Sequence, residues 1–240
     1  MTGAAQDTHD LIYDFHTHTF VSDGELSPLE LAYRCEIGGY AVVAITDHAG
    51  IENLEITLSA LSGECERASE AWGIQVLNGV ELTYVPPALI DLAALRAKEL
   101  GARIVIVHGE TVSEIVPPGT NRAAVESPAV DVLAHPGLLD AETAEIARDS
   151  GKFIELSARR AHATTNGLVA AICSRIGAPM IVNSDAHRPE DLLTERLARI
   201  TALGAGLSPQ EVERVLEQNP HRLLERIGAG AVLPSSRSTL

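Results

Sequence analysis

Residues 11–24 read LIYDFHTHTFVSDG, a short apolar run that passes into His16 and His18 and then into the turn Ser22-Asp23-Gly24. Two histidines two positions apart on an extended chain project to the same face, so both imidazoles can meet one ion. A single His-x-His pair arises easily by chance. Its weight here comes from repetition of the same form along the chain.

Seven such apolar or β-branched runs occur: Leu11 to Phe15, Ala41 to Thr46, Ile74 to Val80, Arg103 to Val107, Val130 to Ala134, Phe153 to Leu156 and Met180 to Val182. Each is brief and nearly continuous in apolar character, as strands buried on both faces of a parallel sheet are. The strand ends then read Thr46-Asp47-His48-Ala49, Gly79-Val80-Glu81, Val107-His108-Gly109-Glu110, Ala134-His135-Pro136-Gly137, Ile154-Glu155-Leu156 and Asn183-Ser184-Asp185-Ala186-His187. Solvated loops explain one or two carboxylates. They do not explain why these four histidines, with His16 and His18 of the first run, put six of the nine at strand ends.

Helix-like segments lie between the strands: Pro28 to Ile37 behind a Ser27 cap with Glu30 three residues on, Ile51 to Ala71, Ala88 to Leu100, Ala141 to Asp149, Gly167 to Ile176 and Pro189 to Leu203. Alternating strands and helices form a closed α/β barrel or an open doubly wound sheet. An open sheet would splay the strand ends apart, whereas a parallel barrel gathers them on the face where active sites are built. The expected fold is therefore a closed, TIM-like α/β barrel of seven strands. Two further segments, Ser208 to Gln218 and the helix from Asn219-Pro220 to near Gly228, are expected to pack outside the sheet. Residues 1–230 read as one domain and residues 231–240, punctuated by Ser and Pro, as a flexible tail.

Composition excludes several classes. With 45% apolar residues and 21% charged, the chain is globular. Its 33 acidic against 18 basic residues, net −15, and only 3% aromatics argue against nonspecific binding to nucleic acid. Cys35, Cys65 and Cys173 are odd in number with no CxxC pair, which removes a disulfide framework and a thiolate zinc site. Residues 1–10 lack the basic start and apolar stretch of a secretion signal, and no apolar run approaches a membrane span. A cytoplasmic protein without membrane contact is expected, and no heptad or repeat argues for a specific protein partner. Imidazole and carboxylate donors without thiolates suit zinc, manganese or iron better than magnesium, in numbers beyond the needs of one or two ions.

The ordered motifs DFHTHTFVSDG, TDHAG, GVELT, VHGE, AHPG and NSDAH, spanning His16 to His187, resemble the PHP (polymerase and histidinol phosphatase) superfamily, in particular its stand-alone histidinol-phosphatase-like branch. The resemblance implies a distorted (β/α)7 barrel with a cluster of two to three divalent metals (Zn, Mn or Fe) at the carboxyl ends of the strands. It further implies His16, His18, Glu81 and Asp185 on a first metal, Glu81 bridging to a second completed by His108 and His135, and Asp23, His48 and His187 on a third. No ligand position is replaced.

The implied activity is that of a metal-dependent phosphatase acting on a small phosphomonoester, L-histidinol phosphate by resemblance, through a metal-bridging hydroxide. No GxSxG elbow or Cys and His pairing offers a protein nucleophile instead. The alternatives are a nucleotide phosphatase or an exonuclease on nucleotides or short oligonucleotides, and a noncatalytic metal-binding module. Arg159 and Arg160, after the sixth strand, are candidates to grip substrate phosphate, as is Arg122 in a Gly- and Pro-rich loop, with Arg188 carrying less weight. His162 is a candidate proton donor. Asp47 and Glu110 either orient neighbouring imidazoles or bind a helix N-terminus. His9 and His221 read as surface residues, and Trp72 and Met180 as packing.

Overall fold

A computed structural model describes residues 11–230. The tail expected at 231–240 and His9 lie outside the described residues. The strands are β1 (Ile12–Thr17), β2 (Tyr40–Ile45), β3 (His48–Ala49), β4 (Gln75–Leu82), β5 (Ile104–His108), β6 (Val132–Ala134), β7 (Phe153–Ser157) and β8 (Met180–Asn183). All pair in parallel in the order β1-β2-β4-β5-β6-β7-β8, with the two-residue β3 continuing the line of β2 beyond Thr46 and Asp47 and pairing with β4. The result is the expected seven-strand barrel, nearly closed.

The last seam, β1 against β8, is made differently from the others. Backbone bonds join only the strand ends, Asp185 N to His16 O at 2.9 Å and His18 N to Ala186 O at 2.9 Å. Deeper in, side chains stand in for the ladder: Phe15 N donates to Asn183 Oδ1 at 3.0 Å and Ser184 N to Asp14 Oδ1 at 3.1 Å. The buried backbone donors are thereby satisfied although the sheet does not pair there.

Helices α1 (Pro28–Gly38), α2 (Leu54–Ala71), α3 (Ile90–Glu99), α4 (Thr120–Glu126), α5 (Ala141–Ser150), α6 (Asn166–Ile176) and α7 (Glu195–Gly204) surround the barrel, followed by α8 (Pro209–Glu213) and α9 (Asn219–Arg226). Local signals set their ends. Ser27 accepts from Glu30 N at the start of α1 and Gly39, at φ 84, closes it; Asp140 and Gly151 do the same for α5. The segment expected as one helix from Pro189 is a short turn, Pro189–Asp191, then α7 restarted by the Thr194 cap. Helix α4 falls where a loop was expected. At its far end, α8 runs through a wide turn into α9, where Asn219 N bonds back to Arg214 O. Pro220 has no N–H to continue the regular ladder.

Two apolar clusters divide the core. The larger lies between the strands and the outer helices and includes Leu31, Leu58, Leu61, Val105 and Leu133, with the half-buried Trp72 packed against it. The smaller fills the barrel with Tyr13, Phe15, Ala44, Leu77, Ile104, Ile106, Val132, Phe153 and Ile181, residues drawn from all seven strand positions. Among the described residues the helix that enters it is α9, through Leu223 and Leu224, with Ala229 beyond. This corrects the expectation that the C-terminal helices pack outside the sheet: α9 plugs the end of the barrel where the strands begin. Arg103, just before β5, donates to Gly228 O at 2.9 Å, Gln75 to Ala229 O at 3.3 Å, and Asn219 to Met180 O at 2.7 Å. Among the described residues no helix is long and apolar enough to cross a membrane.

Candidate metal centre

At the opposite end the strand termini converge as the barrel requires. His16, near the end of β1 where the register is irregular between Asp14 and Thr17, and His18, just beyond the strand, both face Glu81 of β4 and Asp185 beyond β8. His16 Nε2 lies 3.3 Å from Glu81 Oε2 and 3.8 Å from Asp185 Oδ1; His18 Nε2 lies 3.2 Å from Asp185 Oδ1 and 3.5 Å from Glu81 Oε2. His135 Nε2 approaches Glu81 Oε1 at 3.4 Å and Asp185 Oδ2 at 3.8 Å. On the outer side His48 Nδ1 is 2.8 Å from Glu81 Oε2, and Asp23 Oδ1 lies 3.7 Å from His48 Nε2 and 3.3 Å from His187 Nε2. His108 stands beside His135, ring centroids 4.5 Å apart, with its Nε2 3.1 Å from Glu114 Oε2.

All nine residues expected from the motifs are gathered at one end, and the donor atoms of eight of them form overlapping groups: His18, Asp23, His48 and His187; His16, His18 and Asp185; His16, Glu81 and His135. His108 joins none of these groups among the described residues, its Nε2 facing Glu114 instead. His162 adds a fourth group with His135 and Asp185.

Several of these atoms approach one another without hydrogen bonding. His16 Nε2, both nitrogens of His18, both oxygens of Glu81 and Nδ1 of His135 are buried and have no hydrogen-bond partner. Buried polar atoms are normally paired, and leaving one unpaired costs about 1–3 kcal/mol. A divalent cation would satisfy such lone pairs together, so the residues fit one. The electrostatics agree. Burial alone would raise the Glu81 carboxyl, but His16, His48 and His135 outweigh it and hold the group well below its usual range; His16, His18 and His135 do the same for Asp185. Burial likewise opposes charge on His16, yet Glu81, Glu155 and Asp185 raise it well above an ordinary imidazole. His18 is dominated by burial and falls to about 3.

Glycines and strained residues shape the strand ends. A Cβ on Gly137, at φ 64, would meet Glu110 O at 1.9 Å, so only glycine lets the AHPG turn close on the β5 loop. The non-glycine residues with positive φ among the described residues are Tyr84, His135 and Asp185, and all three line one open cavity of about 590 Å³ together with Asp23, His48, His108, Arg159, His162 and His187.

The flanking residues resolve unevenly. Among the described residues Asp47 pairs with no imidazole; it accepts from Thr19 N at 2.8 Å, Thr19 Oγ1 at 2.7 Å and Ser22 Oγ at 2.5 Å, tying down the loop that carries Asp23. Glu110 accepts from Gly119 N at 3.0 Å and Asn121 N at 2.9 Å, at the start of α4. The residue that does orient an imidazole is Glu155, whose Oε2 is 2.7 Å from His16 Nδ1; its strand-end position was visible in the sequence, but its role was not. Thr83 similarly meets His48 Nδ1 at 2.7 Å.

Arg159 points into the centre, 3.1 Å from Asp185 Oδ1 and 2.6 Å from His187 Nδ1. Arg160 is exposed in an adjoining basin of about 550 Å³ that Arg159 and Arg188 also line. Arg122 does not reach the cavity. Its guanidinium is held on the outer surface by Glu126 at 2.8 Å and Glu142 at 2.7 Å, because α4 turns it away from the mouth. His162 is buried, not a loose loop residue, with Nδ1 2.7 Å from Thr111 Oγ1 and 3.0 Å from Ser113 Oγ. Burial, reinforced by His135, lowers it to about 3. His221 is exposed, 3.1 Å from the Tyr13 hydroxyl.

A PHP domain model matches residues 14–108, and an uncharacterized protein of Methanocaldococcus jannaschii is 46% identical over 216 residues, 90% of this chain and 99% of that protein. The chain belongs to the PHP superfamily. A probable phosphatase of Syntrophotalea carbinolica is 27% identical to this PHP protein, covering 85% of the chain and 92% of the relative. Solved structures share this fold at low identity: a chain of an archaeal ribonuclease P with mature tRNA (TM-score 0.66, 15% identity, 94% and 96% of the two chains covered) and histidinol phosphate phosphatase of Lactococcus lactis with zinc, L-histidinol and phosphate (TM-score 0.54, 12%, 82% and 94%).

Proposed function

We propose that this PHP protein is a metal-dependent phosphoesterase that hydrolyses a small phosphomonoester, with L-histidinol phosphate the substrate its motifs imply. The carrying observation is the set of buried imidazole and carboxylate atoms without hydrogen-bond partners beside one open cavity of about 590 Å³. In this reading His16, His18, Glu81 and Asp185 hold one divalent ion, Glu81, His108 and His135 a second, and Asp23, His48 and His187 a third. When bound, such ions supply Lewis acidity toward phosphoryl oxygens and lower the pKa of a coordinated water. The likeness to a probable phosphatase supports the reaction class.

The chain's own groups complete the reading. Glu155 and Thr83 fix the rings of His16 and His48 from behind. Arg159, half-buried beside Asp185, supplies a guanidinium that can hold phosphate in two parallel hydrogen bonds. His162, braced by Thr111 and Ser113, offers Nε2 to the same space as a hydrogen-bonding group.

The test pairs elemental analysis of the purified protein with phosphate release from L-histidinol phosphate on the same sample. Two or three metal equivalents with rapid release are expected, and Asp185→Ala should abolish release while the circular dichroism of the fold is kept. No bound metal after reconstitution would overturn the reading. A protein that binds metal but has no turnover to lose would be the noncatalytic module. Hydrolysis of nucleotides or short oligonucleotides is the second reading, favoured by the adjoining basin with Arg159, Arg160 and Arg188, where a further phosphate could be held.

A further inference from the structure

We propose that Tyr84 is the specificity-determining residue of this cavity, a stacking surface for a planar heteroaromatic ring carried by the phosphorylated substrate. The inference rests on the phosphoesterase reading and narrows its substrate class.

Aromatic side chains are scarce here: three Phe, four Tyr and one Trp in the whole chain. Tyr84, at 64% exposure, and Phe20, at 62%, are the most exposed of them, and both sit in loops that follow strand ends on the metal face. Tyr84 also lines the cavity itself, its ring within 19° of parallel to His108 with centroids 6.4 Å apart. Its side chain makes no hydrogen bond or ion pair among the described residues, so what it presents is the face of the ring.

The backbone holds the ring there at a cost. Tyr84 has φ 55, a conformation unfavourable for a side chain with a Cβ, and it shares positive φ only with His135 and Asp185 among the described non-glycine residues. Its neighbours explain why it cannot relax. Thr83 is fixed by its N–H to Ala49 O at 3.0 Å and by its hydroxyl at 2.7 Å from His48, while Val85 is buried in the core and the stiff pair Pro86-Pro87 follows. Strain kept by anchored neighbours is characteristic of groups that meet a ligand. An exposed aromatic face adds nothing to folding stability, but it gains when a planar partner covers it.

The ring of an imidazole and that of a nucleobase share this chemistry, and the test separates them. On metal-loaded protein, KM and kcat are measured for L-histidinol phosphate and adenosine 5′-monophosphate as ring-bearing esters, and for glycerol 3-phosphate and ribose 5-phosphate as ring-less ones. Titration calorimetry gives Kd for any ester that is not turned over. Wild type should prefer at least one ring-bearing ester over its ring-less counterpart, and which one identifies imidazole or purine. Tyr84→Ala should lower that preference about tenfold, through KM or Kd, while Tyr84→Phe and Tyr84→Trp keep it. Thermal melting checks the fold, which an exposed side chain should not disturb. Equal affinity for ring-bearing and ring-less esters, or an Ala variant with unchanged preference, would overturn the proposal. Absence of turnover on every ester would instead remove the phosphoesterase reading, with stacking still judged by Kd.

Discussion

Glu155 and His16 form a buried carboxylate–imidazole pair, Oε2 to Nδ1 at 2.7 Å, with both side chains fully buried and Asn183 Nδ2 donating to the same oxygen at 2.9 Å. The pair fixes His16 so that Nε2 faces Glu81 and Asp185. Burial by itself would raise the Glu155 carboxyl, but His16, by charge and hydrogen bond, keeps it below its ordinary value.

Replacement of Glu155 by Gln keeps the shape and removes the charge. Loss of a carboxylate behind a ligating histidine typically weakens a metal site ten- to a hundredfold. Competition with a chromophoric chelator should show this drop in affinity for the tightest ion while the thermal melt of the metal-free protein moves little. An affinity equal to wild type would mean that His16 needs no partner to hold its ring.

Arg159→Ala should lower kcat/KM for the phosphomonoester about ten- to a hundredfold, the range for one charged hydrogen bond of roughly 1.5–3 kcal/mol. Arg159→Lys should recover little of it, because a point charge lacks the planar fork. Arg160, exposed in the adjoining basin, should matter only for substrates long enough to reach that basin. If Arg160→Ala impairs a monoester as severely as Arg159→Ala, the division of labour is wrong.

Much of this site was legible in the sequence for a simple reason. A parallel barrel brings every strand's carboxyl end to one face, so residues as distant as His16 and His187 needed only correctly read strands to become neighbours. What depends on side-chain direction was not legible. Asp47 and Glu155 both sit in polar strand-end strings, yet one turns to loop backbone and the other to an imidazole. Helix α4 was missed because it starts from Gly119 at φ 92 after two prolines, with no side-chain cap to announce it. Its existence is also what carries Arg122 away from the mouth. The apolar face of α9 reads alike whether it covers an outer groove or fills a barrel, and only the filled barrel needs it at the bottom.

Lys152 gives a pH prediction that is independent of the metal face. Its Nζ is buried, donating to Val130 O at 2.6 Å and Pro128 O at 3.0 Å, and burial, with Arg226 nearby, lowers it to about 8. Between that value and the ordinary 10.5 the unfolded chain binds more protons than the folded one, so folding stability should rise with pH in this window. The cost of charging the buried amine is fully present below pH 8 and gone above 10.5, at most about 3 kcal/mol. Urea melts at pH 8, 9 and 10 should show the rise in wild type and a flatter profile in Lys152→Met. Parallel profiles would show that the amine titrates as in the unfolded chain.

The plug formed by α9 can be tested by truncating Leu224, which is 1% exposed inside the barrel cluster. If α9 lay on the outside of the sheet, removing a partly covered leucine would cost well under the 2–5 kcal/mol that a core Leu→Ala change incurs. Inside the barrel the neighbours are strand side chains fixed by the ladder, which cannot collapse into the space, so the cost should fall within that core range. Leu223, at 0% exposure in the same cluster, should behave alike, and the two should be non-additive because they share neighbours. Metal stoichiometry and kcat per folded molecule should stay at wild-type values, since the strand ends that carry His16, Glu81 and Asp185 lie at the far end of the barrel. A variant as stable as wild type in urea would remove the plug, and one that is stable but loses metal would show that the two ends of the barrel are coupled through the strands.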